Sequence, residues 1–352
     1  MLIKQILFIL IGLSLISSCG EEEAYIPVPT PVNLEVPNNF PEVAYNFENN
    51  TLTEEGIALG KKLFYEGKLA KDNIISCGFC HEQASGFTHH GHTISHGING
   101  NEGFRNAQPT QNLAFFSEFG WDGASIHLDL QPIIPITSEF EMGETLASIV
   151  QKIAVEKEYN TLFSNAFGDA EVTSERILKA LAQFILTQIS ANSKYDKVIR
   201  SEENTSFTET EAKGFQLFKN KCASCHSGAL FTDKTYRNNG IPVNPKFATE
   251  EEGRKRVTGA AEDFYKFRVP SLRNIAVTFP YMHDGRFRTL ESVLDFYTDG
   301  MTENGGVIDP SLINADGSFG IDLTKLEKAQ IIAFLQTLTD YEYLNDKRFA
   351  EF

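Results

Sequence analysis

The sequence predicts an all-α fold of two tandem domains, on three observations. A helix-like segment at 52–64, LTEEGIALGKKLF, returns in pattern at 207–218, FTETEAKGFQLF, with Gly60 ahead of Leu63-Phe64 in one and Gly214 ahead of Leu217-Phe218 in the other. Two further segments, 173–190 and 323–340, space their apolar residues for one helical face rather than for the alternation of a strand. In the second these include Leu326, Ile331, Phe334, Leu335 and Leu338. Within each half the same five-residue pattern follows the opening helix: Cys77-Gly78-Phe79-Cys80-His81 and Cys222-Ala223-Ser224-Cys225-His226.

From its start, the chain opens on a short basic stretch with Lys4 and an apolar run from Ile6 to Ile16. That run is too short for a bilayer, which needs about 20 apolar residues, and it has the shape of a secretory signal. Ile16-Ser17-Ser18-Cys19 resembles a lipobox, so residues 1–18 are expected to be a signal peptide of the lipoprotein type, with Cys19 acylated. More than one acyl chain there would anchor the protein stably. The protein would then lie on the periplasmic side of the cell envelope and meet the membrane through its lipid alone. Residues 19–44, rich in Pro, Asn and Glu, read as a flexible tether. About 300 residues follow, enough for two domains of ordinary size, expected at 45–200 and 201–345 with the join near 190–205. The net charge of −16, with no basic stripe, argues against a nucleic-acid partner.

Cys-x-x-Cys-His is the attachment sequence for c-type haem. Two thiols two residues apart reach the two vinyl groups of one porphyrin, and the adjacent imidazole lies below its iron. A single CxxC could be a zinc half-site or a redox dithiol, but two CxxCH motifs in an exported chain favour haem. The chain has five cysteines. With Cys77, Cys80, Cys222 and Cys225 bound to two haems and Cys19 to lipid, no disulfide framework remains, and His81 and His226 are the proximal iron ligands. Thr208-x-x-Glu211 and Thr324-x-x-Glu327 have the form of capping boxes that fix helix starts. Helix, CxxCH, loop and closing helix is the cytochrome c plan. The expected fold is therefore two tandem cytochrome c-like domains, each with one covalently bound c-type haem, wrapped by long irregular loops.

Two haems can simply relay electrons; an enzyme needs one iron with an open face and a proton-handling group above it. The stretch FGWDGASIHLDLQPIIPITSEFEMGET, 119–145, supplies candidates. Here the chain resembles the bacterial dihaem cytochrome c peroxidases and the related MauG enzymes. The resemblance rests on both CxxCH motifs, RNAQPTQN (105–112), WDG (121–123), Gln131 with Glu141-Met142, RVPSLRN (268–274), and PYMHDGRF with TLESVLDFY (280–297). It implies that Glu141 is the distal carboxylate over the first haem, with Gln131 beside it. The residues themselves leave Glu139 and Glu144 of the same acidic loop eligible. Splitting the O–O bond of hydrogen peroxide requires moving a proton from the near oxygen to the departing one, and a positioned Glu can carry it, a step worth roughly 10²–10⁴-fold.

The resemblance also implies that Trp121, the only tryptophan, lies between the haems as an aromatic stepping stone. Asn106 with the carbonyls of Thr278 and Pro280 matches a calcium site between the domains, and such oxygen donors suit Ca²⁺. His96 corresponds to a loop histidine that holds the resting first haem in some family peroxidases. His89, His90 and His92 are expected on a mobile loop, His127 has no assigned role, and His283 is placed near the second haem. Where the better-known peroxidases use a Met as the other ligand of the second haem, this sequence has Tyr297, as MauG does. Met282 and Met301 are nearby alternatives. A thioether raises the haem potential and suits electron uptake from a cytochrome, whereas a tyrosine oxygen is a harder donor that favours ferric or higher states.

Three functions stand as expectations. The first is a dihaem c-type peroxidase that reduces hydrogen peroxide to water at its first, peroxidatic domain, with electrons delivered to the second, electron-transfer domain by a small cytochrome c or cupredoxin. The second is a MauG-like peroxide-dependent oxidase of a partner protein's aromatic residues. The third is a non-catalytic dihaem electron carrier, which would need both irons closed by strong ligands and leaves Glu141 without a use.

Overall fold

A computed structural model describes residues 26–351 apart from 248 and 250. The expectations for the signal peptide and Cys19 lie outside the described residues. The first half carries α1 (Glu54–Phe64), α2 (Cys77–Cys80), α3 (Ile133–Thr137), α4 (Leu146–Ala154), α5 (Lys157–Phe167) and α6 (Ser174–Leu186). Helix α7 (Lys194–Ile199) lies where the join was expected. The second half carries α8 (Glu209–Lys221), α9 (Lys255–Thr258), α10 (Leu290–Asp295), α11 (Lys325–Gln336) and α12 (Tyr341–Leu344). The four helices read from the sequence are all present, trimmed at their ends except that α8 runs three residues further, to Lys221. The all-α reading needs one addition: β1 (Tyr236–Arg237) and β2 (Phe267–Arg268) pair antiparallel, a ribbon two residues long. Much of the remaining chain is irregular loop.

In each half the opening and closing helices cross at a glycine. A Cβ on Gly60 of α1 would come 1.9 Å from the Ala180 carbonyl oxygen of α6, and a Cβ on Gly214 of α8 would come 1.9 Å from the Gln330 carbonyl oxygen of α11. Beyond those carbonyls, the next obstacle is the Cβ of Phe184 or of Phe334, at 3.0 Å in both halves. The sequence repeat is thus a repeat of helix contact, not merely of composition. Both capping boxes form, with Thr208 and Glu211, and Thr324 and Glu327, each exchanging side-chain and backbone hydrogen bonds. Leu59, Leu63, Phe64, Leu181 and Phe184 anchor the core of the first half; Phe218, Phe231, Ile331 and Phe334 anchor that of the second.

The RVPSLRN segment clasps the halves together. Arg273 and Asp196 are fully buried and meet in two parallel bonds, Nη1 to Oδ2 at 2.8 Å and Nη2 to Oδ1 at 2.7 Å. Arg273 also donates to the carbonyls of Ala229 and Ser190, so its buried charge is fully engaged.

Two expectations about organisation are corrected. The described part of the expected tether, 19–44, is docked rather than free. Val32, Leu34, Phe40 and Val43 pack against the first core, and backbone bonds run from Val32 N–H to Leu52, Glu54 N–H to Thr30, and Ala44 N–H to Ala114. Four apolar anchors outweigh a composition that otherwise reads as linker. The second half also does not close on itself at 345. Tyr343, Leu344 and Phe349 belong to the core of the first half. Tyr65 Oη donates to the Phe349 carbonyl at 2.7 Å, and Gln83 Nε2 to those of Tyr343 and Asp346 at 3.1 and 2.8 Å.

Candidate active site in two histidine-anchored halves

The one-turn helix α2 ends on His81, whose Nδ1 lies 2.8 Å from the Phe87 carbonyl. In the second half His226 Nδ1 lies 3.0 Å from the Phe231 carbonyl. Both phenylalanines stand at positive φ, 61° and 53°, an uncommon conformation for a bulky residue. Both are locked by aromatic neighbours: Phe87 by Phe64, Tyr343 and Phe349, Phe231 by Phe218, Tyr195 and Phe334. An imidazole that gives Nδ1–H to a carbonyl keeps Nε2 as a free electron pair, the state a metal ligand requires. Burial lowers the pKa of both rings and so favours their neutral form.

Cys222, Cys225 and His226 line a cavity with roughly 1610 Å³ of atom-free space, part of it open to solvent. Its walls are chiefly apolar, with Phe218, Leu272, Leu294, Leu323, Ile331 and Leu335 among them. Two cysteines, one free imidazole nitrogen and an apolar lining fit a covalently held porphyrin. Tyr297, Met282 and Asn239 line the same space. Tyr297 is the second residue of a π-helical turn, Phe296–Gly300, that ends α10; such turns are frequent at functional sites. Burial pushes its phenol up to about 12, and its Oη accepts from Asn239 Nδ2 at 3.1 Å. Met301, 8% exposed, lies in an apolar cluster with Ile241 and Phe296 against which Tyr297 and Met282 also pack, and is not among the lining residues.

Trp121, Asn106, His283, Thr278 and Pro280 also line this cavity, where the two halves meet. Trp121 Nε1–H donates to the Asn106 carbonyl at 2.9 Å, and Asn106 N–H donates to the His283 carbonyl at 2.6 Å. The Asn106 amide donates to the carbonyls of His92 and Thr93. His283 is stacked on Phe267 with its Nε2 buried and unpartnered, and burial lowers its pKa to about 4. Among the described residues no group of three or more His, Cys, Asp or Glu is arranged for a metal ion. The calcium expectation therefore rests on the Asn106 amide and the two carbonyls.

In the first half, α3 and its flanks carry the acidic loop. Gln131 precedes the helix, and its Oε1 is buried without a partner. After the helix the chain folds back, with Glu141 N–H on the Ser138 carbonyl at 3.0 Å and Met142 N–H on that of Pro135 at 3.1 Å. Burial and then the nearby Glu141 carboxylate push the Cys80 thiol up to about 12, which places Glu141 beside the first CxxCH. Burial alone raises the Glu141 pKa. Its neighbours differ: Glu139 is exposed, and Glu144, although burial opposes it, is held below the ordinary range by Lys152 Nζ at 2.5 Å.

Among the loop histidines only His89 is buried, while His90 and His92 are exposed. His89 is 4% exposed and stacks on His92 at 4.1 Å, with His96 edge-on to His92 at 4.8 Å. His127 caps the turn Leu128–Leu130 by accepting Asp129 N–H. Sequence reasoning missed Asn239, the π-helical turn and the paired phenylalanines; only the last left a signal, a Phe five or six residues after each motif His.

Residues 54–204 match the family model described as di-haem cytochrome c peroxidase. Over 307 residues the chain is 33% identical to the methylamine utilization protein MauG of Methylorubrum extorquens, covering 85% of this chain and 82% of that one. Over 282 residues it is 34% identical to the cytochrome c551 peroxidase of Nitrosomonas europaea, covering 80% and 79%. A crystal structure of a MauG-like protein associated with microbial copper homeostasis matches with a TM-score of 0.80 at 31% identity, covering 91% of this chain and 99% of that one.

Proposed function

Because this chain belongs to the di-haem cytochrome c peroxidase family, we propose that it reduces hydrogen peroxide to water at its first half, with electrons entering at the second from a small cytochrome c or cupredoxin. Cys77, Cys80 and His81 would hold one haem, and Cys222, Cys225 and His226 the other. When bound, the haems supply redox-active iron for O–O cleavage and for passing electrons between the halves. Glu141 takes the proton from the near oxygen of hydrogen peroxide and returns it to the departing oxygen, which leaves as water. Gln131 Oε1, lacking a protein partner, supplies a second acceptor from the same region. Trp121, fixed by its bond to Asn106 at the junction, lies on the electron path, and Asn106 with the carbonyls of Thr278 and Pro280 binds Ca²⁺ there.

The observation that carries this reading is the state of Glu141: half-buried, raised in pKa by desolvation, and without the cation that occupies Glu144. A partly desolvated carboxyl without a cation partner is suited to exchanging protons. Glu141→Gln should lower peroxide turnover by roughly 10²–10⁴-fold, with both haems still bound and reducible. Turnover within a few-fold of the parent would remove Glu141 from the mechanism.

The position of Tyr297 in the second cavity favours one alternative, a MauG-like oxidase acting on aromatic residues of a partner protein. Tyr is an attested haem ligand, and an anionic oxygen donor disfavours electron uptake from an ordinary cytochrome. Stopped-flow reduction of the second haem by a small cytochrome c separates the two: fast reduction supports the peroxidase, and none turns attention to a protein substrate. The electron-carrier reading leaves Glu141 no task. For the leader, the proposal is cleavage before Cys19 and lipid anchoring on the periplasmic side.

A further inference from the structure

We propose that Asn239 is a positioning residue that assigns the second haem to Tyr297 and keeps Met282 from it; this rests on the reading of Tyr297 as an axial ligand. One amide touches both candidate donors. Asn239 Nδ2 donates to Tyr297 Oη at 3.1 Å and to Met282 Sδ at 3.8 Å, and all three side chains line the cavity that holds His226.

The orientation of the amide is set from behind, where Oδ1 accepts Ile241 N–H at 3.3 Å; its NH2 group therefore faces the cavity. The loop that carries it is pinned. Asn238, 1% exposed, exchanges amide bonds with Asn304 at 2.8 and 2.9 Å, Asn304 also donates to the Ile241 carbonyl at 2.9 Å, and Thr302 N–H donates to that of Gly240 at 2.9 Å. Such a fixed donor can hold a ligand in place rather than follow it.

The two acceptors differ in kind. A phenolic oxygen is a good acceptor and a thioether sulfur a weak one. The bond to Oη is the only one this hydroxyl makes among the described residues, so Asn239 alone fixes it within an otherwise apolar wall. Met282 stands at φ 72°, a conformation that costs a non-glycine residue energy. That turn brings its sulfur to the cavity, whose lining does not include Met301. With one hydrogen of the amide on the oxygen and the other on a sulfur lone pair, the oxygen is aimed and the sulfur is occupied. Removing the amide frees both and lets the thioether take the iron, which raises the potential of that haem.

The experiment uses the full haem-loaded protein and Asn239→Leu, which keeps the volume and removes the donors, beside Tyr297→Phe and the double variant Asn239→Leu/Met282→Leu. Asn239→Ala supplies the same readout if the leucine variant does not fold. The expected result is a methionine–iron absorption band absent from the parent and a higher midpoint potential for the second haem, both abolished in the double variant. If Tyr297→Phe alters the parent spectrum but Asn239→Leu leaves the axial set as it was, with the potential unchanged or lowered, the proposal is overturned and the ligand reading survives. A Tyr297→Phe protein with the parent's spectrum overturns the ligand reading and the proposal with it.

Discussion

At Glu141 burial raises the carboxyl pKa with no cation to offset it, so holding the ionised form at neutral pH costs the fold free energy. A carboxyl whose folded pKa lies above its unfolded value, ordinarily about 4.3, contributes stability that is present below that value and lost as pH rises through the folded pKa. Glu141→Gln removes this loss. Its melting temperature should exceed the parent's at pH 7, with the difference closing as the pH falls toward 4, even as turnover collapses. Equal melting temperatures throughout would mean a solvated carboxyl. At the second haem, Tyr297→Phe should change the absorption and midpoint potential. Met301→Leu should change neither and cost about 1 kcal/mol, as volume-conserving core exchanges do; a potential shift in Met301→Leu would return that sulfur to the iron. The cysteines and histidines of both motifs were legible because a covalent attachment demands fixed local spacing. Asn239 was not, because its meeting with Tyr297 and Met282 depends on two loops and a π-helical turn converging.

The helices at either end of each half were legible from their periodicity and caps, and Gly60 and Gly214 from their matched positions before Leu-Phe. What the sequence could not say is why those glycines recur. Each lies where two helix backbones nearly touch, and a methyl group there meets a carbonyl that cannot rotate away. Gly60→Ala and Gly214→Ala should each destabilise by at least about 1–3 kcal/mol through overpacking, despite the helix propensity of alanine, about 1 kcal/mol in its favour. Urea denaturation measures this, and a neutral or stabilising result would show that the helices part freely. The β1–β2 ribbon was invisible because two residues carry no alternation, and the π-helical turn because its extra residue leaves no mark in a six-residue helix.

Across the whole molecule, the two-part plan was legible, but the ties between the parts were not, since they join residues far apart in sequence. Arg273 and Asp196 are the most buried of them. Arg273→Met leaves the Asp196 charge with only Ser193 and a 4.0 Å pair to Arg200 and should cost about 3–5 kcal/mol, read by denaturation. A loss below about 1 kcal/mol would mean that Arg200 closes on Asp196 in its place. The other tie runs from Tyr343, Leu344 and Phe349 back into the first core, and it bears on biogenesis. Helix α1 leaves the ribosome roughly 280 residues ahead of that segment, an interval of some tens of seconds at ~5–20 residues per second. Throughout it, Phe87 lacks the rings of Tyr343 and Phe349 and keeps that of Phe64. Until residues 343–349 dock, the attachment turn of the first half rests on Phe64 and is braced only in part.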